Sequence, residues 1–270
     1  MNNWEQDYIN LVGEVIDNGF IADSRAGLTY SLPFKTITIP LDEGFPLLTT
    51  RKMFPAGVFG ELAGFVRGAE DLTTYEKFGC KYWRDNAAAW SFNQDLAVED
   101  WQIGRSYGAI WRDFGGVDQL KQVIQQLKAD PLSRRHVVSA WDPAAKAALP
   151  SCHILYQFYA RNGELHCGVM MRSVDLCVGL PSDIILYALL TELIAKDTRL
   201  KPKSLTFFFG DCHVYANHIE QFRAKQACQA PLESPSLVLS STATTLLFTP
   251  AEATICNYES GPTISYTFNA

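Results

Sequence analysis

The spacing of apolar residues divides the chain into elements before any chemistry is considered. Trp4, Ile9, Leu11, Val12, Val15 and Ile16 fall on one helical face and Gly19 follows, so residues 4–18 predict an amphipathic helix. Lys35 to Pro40 alternates as a half-buried strand does. Phe54 to Val66 reads as a helix carrying Glu61 among apolar neighbours, and Val117 to Ala129 as an amphipathic helix ended by Asp130-Pro131. Four stretches rich in β-formers predict core strands: His136–Trp141, His153–Ala160, Leu165–Met171 and Leu205–Phe209. Ile184 to Ala195 is apolar on nearly every face, which predicts a buried helix, and Val214 to Lys225 predicts a more polar one. Tyr75 to Trp111 is irregular, aromatic and dotted with glycine, as in loops lining a cleft. The tail from Ser234 to Phe268 alternates Ser/Thr with apolar residues and predicts short strands. No repeat, low-complexity segment or linker interrupts this, so residues 1–270 read as one α+β domain.

Composition narrows the partners. The 270 residues are 47% apolar and 19% charged, which is ordinary for a soluble globule with ample core material. With a formal net charge of −6 and no basic run, neither nucleic acid nor an anionic membrane is expected as primary partner. A small anionic substrate stays open, because a few converging arginines suffice to hold one. The seven cysteines are scattered, odd in number and form no C-x-x-C pair, so small buried hydrophobes in a reducing cytosol cover most of them. Met1 to Asp7 is polar and acidic, unlike a signal peptide, and no window approaches ~20 apolar residues. A cytoplasmic protein without a metal is expected.

Cys152 precedes an apolar strand beside His153. Neighbours on a strand point to opposite faces, which argues against a direct Cys–His pair, so buried structural cysteine and nucleophile both stand on pattern alone. Arg134, Arg135 and Arg172 adjoin apolar strands, where a guanidinium needs a carboxylate or a ligand phosphate. One of them near Cys152 would favour its thiolate. Glu61 reads either as a solvated helix-face carboxylate or as a buried, tuned acid/base. His213 and Tyr215 face one side if extended and could share a sugar hydroxyl, or could simply pack; Tyr107 is equally open.

Several blocks taken together resemble one family. Asp130-Pro131-Leu132-Ser133-Arg134-Arg135, Cys152-His153 with Tyr156-Gln157-Phe158-Tyr159, Arg172-Ser173-x-Asp175, Gly179-Leu180-Pro181 and His213-x-Tyr215-x-Asn217-His218 look like the signature blocks of thymidylate synthase, in the family's order, from about Asp23 to His218. The resemblance implies a mixed β-sheet with flanking helices, a sheet-to-sheet homodimer, and 5,10-methylenetetrahydrofolate as donor of one carbon to C5 of a pyrimidine deoxynucleotide. It implies that Cys152 adds to C6 of the base, making C5 nucleophilic. Arg25, Arg172 and Ser173 match the 5′-phosphate ligands, and Arg134 and Arg135 the pair donated by the other subunit. Glu61 matches the proton-shuttling carboxylate, Tyr107 the residue assisting proton removal from C5, and His213 and Tyr215 the pair on the 3′-hydroxyl. On the folate side, Asp175, Gly179 and Trp83 match cofactor contacts.

One departure bears on the substrate. Asp183 stands where the family has an asparagine complementary to uracil. Cytosine presents an amine donor at N4 and an acceptor at N3; a carboxyl group accepts from the amine and, holding a proton, satisfies N3, whereas an ionised carboxylate would repel O4 of uracil. A mispaired buried edge costs about 1–3 kcal/mol, so dCMP is expected over dUMP. The aspartate resembles the deoxycytidylate hydroxymethylase branch, which viruses use to modify cytosine and in which water captures the C5 methylene; a methylase instead excludes water and leaves dihydrofolate. Ser182 in place of phenylalanine, the small residues Gly60, Ala63 and Gly64 around Glu61, and a C-terminus (Tyr266 to Ala270) without the usual apolar ending favour hydroxymethylation. His153 and the closeness to the synthase blocks favour methylation. A catalytically silent nucleotide-binding paralogue is the alternative of another class; against it, all the chemical groups are present.

Overall fold

The computed structural model describes residues 3–92, 97 and 100–269; the expectations touching Met1, Asn2 and Ala270, and part of the irregular stretch before Trp111, lie outside them. Helix α1 (Asn3–Asn18) forms where its apolar stripe predicts, burying Trp4, Tyr8, Val12 and Val15. Gly19 ends it because a Cβ there would lie 2.3 Å from the Val15 carbonyl oxygen. Strands β1 (Phe20–Ser24), β2 (Gly27–Pro33) and β3 (Thr36–Pro40) follow, then α2 (Pro55–Phe65), begun by a proline at its first turn. Three short helices, α3 (Leu72–Lys77), α4 (Arg84–Phe92) and α5 (Gly108–Arg112), occupy the stretch that sequence pattern reads as loops. Their few turns are too short to show a 3.6-residue period. Helix α6 (Gln119–Ala129) is capped by the Asp118 carboxylate, which accepts from the Lys121 N–H.

The sheet comes next: β4 (Val137–Ser139), β5 (His153–Arg161), β6 (Glu164–Asp175), the buried helix α7 (Gly179–Thr198) and β7 (Lys201–Tyr215). Strand order is β1-β2-β7-β6-β5-β4, with β3 also on β7. Only β6 and β7 run parallel, joined by α7, and the other pairings are antiparallel. The expected α+β class with a mixed sheet is therefore observed. Strands β6 and β7 exceed their predicted ends, and β4 falls short. The helix predicted from Val214 begins later, because Val214 and Tyr215 pair with Tyr30 and Thr29 of β2. Ladder hydrogen bonds outweigh local polarity there. A 3₁₀ turn (Ala216–His218), α8 (Ile219–Gln221) and a π turn (Phe222–Gln226) follow. The tail contributes β8 (Ser236–Leu239) and β9 (Ala253–Cys256), paired antiparallel, and is otherwise turns and irregular chain.

The two sheet faces differ. One is sealed by α7, whose Leu186, Tyr187, Leu189, Leu190 and Leu193 are wholly buried, along with Tyr156, Val169 and Phe207 of the strands. Each large apolar side chain so buried contributes about 1.5–3 kcal/mol. The other face leaves Tyr159, Met170 and Phe208 each more than 40% exposed, with Met170 directly beside Phe208 in the β6–β7 register.

Candidate active site

A cleft of about 630 Å³ opens at the carboxyl ends of β6 and β7, beside the first turn of α7. Open α/β units present ligand sites at this end, where strand termini and helix starts leave a crevice. Period-two alternation puts Asp211, His213 and Tyr215 of β7 into it together, with Asp175 of β6 in register with His213. His213 Nδ1 lies 2.7 Å from Asp211 Oδ1, so Asp211 orients the ring.

Cys152 sits at the edge of β5. The Arg172 guanidinium reaches to 3.8 Å from its sulfur while donating to the carbonyls of Ser151 and Pro150, both at 2.9 Å. Arg172 thus meets backbone carbonyls and a thiol, and no carboxylate, among the described residues. The guanidinium favours the Cys152 thiolate, as expected of an arginine there, but burial outweighs it and the thiol is pushed above its ordinary value. The Cys152 N–H donates to the Tyr107 hydroxyl at 2.9 Å, and the Tyr107 N–H donates to Ser151 Oγ at 3.2 Å. Tyr107 has a positive φ of 41°, a strained backbone that aims its ring at the cysteine. The next residue must be glycine, since a Cβ on Gly108 would stand 2.2 Å from the Phe65 carbonyl oxygen.

His153 does not pair with Cys152 as a catalytic base. Its ring stacks near Tyr107 at 4.2 Å between centroids, its Nδ1 lies 2.6 Å from the Tyr187 hydroxyl, and its Nε2 lies 3.7 Å from Asp183 Oδ1. Burial pushes its pKa down to about 3, so the ring is neutral. With the hydroxyl donating to Nδ1, the ring proton is on Nε2, facing Asp183. The Asp183 side chain keeps 18% exposure on the cleft wall. Burial, then the nearby charge of Glu61, holds its carboxyl well above the usual range. Glu61 on α2 is raised to about 7 by burial, although Trp83 Nε1–H donates to it at 2.7 Å.

The cleft lining therefore includes Arg25, Glu61, Trp83, Tyr107, Cys152, Arg172, Ser173, Asp175, Gly179, Asp183, His213 and Tyr215, as the sequence suggested. Arg134 and Arg135 are exposed on the segment between α6 and β4 and do not line it in this chain. Sequence reasoning missed Asp211, Tyr82 and Asn86 as lining residues. The β alternation that paired His213 with Tyr215 also reaches Asp211, so that signal was available. Two expectations need correction. Gly60 and Gly64 do not widen the cleft: a Cβ on Gly60 would strike the Phe78 carbonyl oxygen at 2.3 Å and one on Gly64 the Tyr75 ring at 2.4 Å, so they let α2 pack closely, and Ala63 is wholly buried in the core. The C-terminal tail does bring an apolar group to the cleft, through Phe268. Ser182 lines the cleft.

A thiol-bearing cleft on this sheet defines a class, and comparison with known proteins gives it a name. The chain belongs to the thymidylate synthase family, whose family model matches residues 6–270, and it has that family's mixed α+β fold. It is a folate-dependent one-carbon transferase of that family, in which methylenetetrahydrofolate is the co-substrate. It is 39% identical over 255 residues to thymidylate synthase 1/2 of Encephalitozoon cuniculi (strain GB-M1), covering 87% of this chain and 86% of that protein.

The residues present suit a folate beside a nucleotide. Trp83, Val178 and Phe268 offer apolar surface, and Asp175 offers an acceptor for ring N–H groups, in a cleft of the size that small-molecule sites have. No helix among the described residues is long and apolar enough to cross a membrane.

Proposed function

We propose that this chain places a one-carbon unit on C5 of dCMP and releases 5-hydroxymethyl-dCMP, so that dCMP, methylenetetrahydrofolate and water give product and tetrahydrofolate. The observation carrying this is Asp183, a carboxyl on the cleft wall whose proton affinity burial and then Glu61 raise well above the usual range, where an asparagine would read uracil. A neutral acid has a carbonyl to accept from N4 and an O–H to give to N3. The retained proton makes repulsion of O4 secondary, and the argument for cytosine rests on proton donation to N3. As Cys152 adds to C6, electron density moves to N3, and Asp183 supplies the proton there.

Other groups take the roles their positions suit. Arg172 favours the thiolate and, with Arg25 and Ser173, binds the 5′-phosphate. His213, oriented by Asp211, and Tyr215 hold the sugar. Glu61, titrating near 7, moves protons, and Tyr107 assists loss of the C5 proton. Trp83, Asp175 and Gly179 hold the folate, which when bound supplies the electrophilic carbon. Ser182 on the cleft wall favours entry of the water that a hydroxymethylase needs. The apolar face carrying Met170 and Phe208 suits a second copy of the chain, which would bring Arg134 and Arg135 to its neighbour's cleft.

The relative's name favours a second reading, methylation of dUMP. Methylation of dCMP, through the same residues, stands between them. Incubation with methylenetetrahydrofolate and either dCMP or dUMP separates these readings. Dihydrofolate absorbance marks a methylase, product mass without that signal marks a hydroxymethylase, and turnover of dUMP alone overturns the proposal. Silence on both bases supports a nucleotide-binding protein.

A further inference from the structure

Behind the cleft wall, three potential metal ligands converge: Asp175 at the end of β6, Cys177 two residues on, and His218 in the 3₁₀ turn after β7. Their ligand atoms all lie within 4.8 Å of one another. His218 is wholly buried. Its Nε2 lies 2.7 Å from the Thr267 carbonyl oxygen, which only accepts, and 3.1 Å from the Asn269 amide nitrogen; the shorter Thr267 contact assigns the proton to Nε2 and leaves Nδ1 a lone pair. That Nδ1 has no hydrogen-bond partner. It faces Asp175 Oδ1 at 3.8 Å, and this oxygen already accepts from the Cys177 N–H at 2.8 Å and, more weakly, from the Val178 N–H at 3.3 Å. Two acceptors therefore point at each other inside the protein, which is costly unless something positive sits between them.

We propose that Asp175, through Oδ1, Cys177 and His218 form a binding site for a zinc-like divalent cation behind the cleft wall, leaving Asp175 Oδ2 to the folate. The donor set of one carboxylate, one thiolate and one imidazole is that of zinc. Zinc bond lengths at a tetrahedral angle put ligand atoms roughly 3.3–3.6 Å apart. Closing from 3.8 Å needs a shift of a few tenths of an ångström between Asp175 and His218. Thr267 supplies the outer carbonyl that a ligating histidine ordinarily donates to. On binding, the Cys177 S–H bond breaks, its proton leaves to solvent and a sulfur–metal bond forms, with no change of oxidation state. The spacing Asp-x-Cys with a distant histidine gives no recognisable motif, which is why the sequence predicted no metal. This inference does not depend on which nucleotide the enzyme uses.

The test is titration of the chelator-treated full chain with Co²⁺, followed by Zn²⁺. One Co²⁺ per chain is expected, with a thiolate-to-cobalt band in the near ultraviolet that Zn²⁺ bleaches. The band should persist in Cys152→Ser, which removes the cleft thiol, and vanish in Cys177→Ser and Cys177→Ala. Asp175→Asn, on the cleft wall where folding is less at stake, and His218→Gln should each weaken binding at least about tenfold. Absence of the band in the parent overturns the site and leaves a proton on His218 as the charge between the acceptors. A band indifferent to residues 175, 177 and 218 overturns it equally, by placing the metal elsewhere.

Discussion

Replacing Asp183 by asparagine changes little in size or shape but removes the ability to surrender a proton. Both side chains offer an acceptor and a donor when the acid is neutral, the form that burial and then Glu61 favour here. His153 Nε2–H, 3.7 Å from Oδ1, favours a carbonyl oxygen on its side in either case. The difference appears during addition of Cys152 to C6 of cytosine, when N3 gains electron density. An O–H that can move onto N3 makes a charge-assisted hydrogen bond, worth about 1.5–3 kcal/mol, where an amide makes an ordinary one of about 0.5–1.5 kcal/mol. The gap of about 1–2 kcal/mol is roughly 5- to 30-fold in rate. With uracil the density goes to O4, to which the amide N–H donates at no disadvantage. Asp183→Asn should therefore lower kcat/KM for dCMP relative to dUMP by about that factor. Dihydrofolate absorbance and product mass, measured on both nucleotides, read the ratio. A parent that prefers dUMP, or a ratio that moves less than about twofold on substitution, refutes the reasoning.

Four further outcomes follow from named groups. With Glu61 raised to about 7, kcat/KM should inflect near that pH; Glu61→Gln should abolish the inflection and cost roughly 10²- to 10⁴-fold in rate. Trp83→Phe removes the bond that stabilises ionised Glu61, so the inflection should move to higher pH, and movement downward would exclude Glu61 as the titrating group. Tyr187→Phe frees His153 Nδ1 to take the ring proton, which turns Nε2 into an acceptor toward Asp183; the dCMP-to-dUMP ratio should change, whereas a purely structural role would scale both rates alike. Glu192 on α7 is raised from 4.5 to about 7 by burial, so the folded chain holds its proton more tightly than the unfolded chain does. Its stabilising contribution is complete below about pH 4.5 and is lost as pH rises through 7, with a ceiling of about 3 kcal/mol. Urea unfolding should find Glu192→Gln more stable than the parent by about 1–3 kcal/mol at pH 8 and indistinguishable at pH 4. Equal differences at both pH values would refute it.

Period alone located α1, α2, α6 and α7, because each buries a stripe or a whole surface over several turns. Strand alternation likewise paired His213 with Tyr215. Short helices such as α3 and α5 left no such trace, and the ends of β6 and β7 were set by pairing with partners remote in sequence. The glycines of α2 misled for a related reason: composition shows that a side chain is small, but not whether the space belongs to a ligand or, as at Gly60, to the backbone of Phe78. Pattern alone left Cys152 open between nucleophile and buried thiol, and only folding puts Arg172 and Tyr107 beside it.

The chain by itself fixed that an aspartate occupies position 183 and that a thiol, a glutamate and several arginines were available. Only the tertiary structure decided that this aspartate holds its proton more tightly than a solvated one, because its proton affinity depends on burial and on Glu61, 122 positions away along the chain (183 − 61). Covalent order sets which groups exist; their ionisation belongs to the solvent they lose and the neighbours they gain on folding.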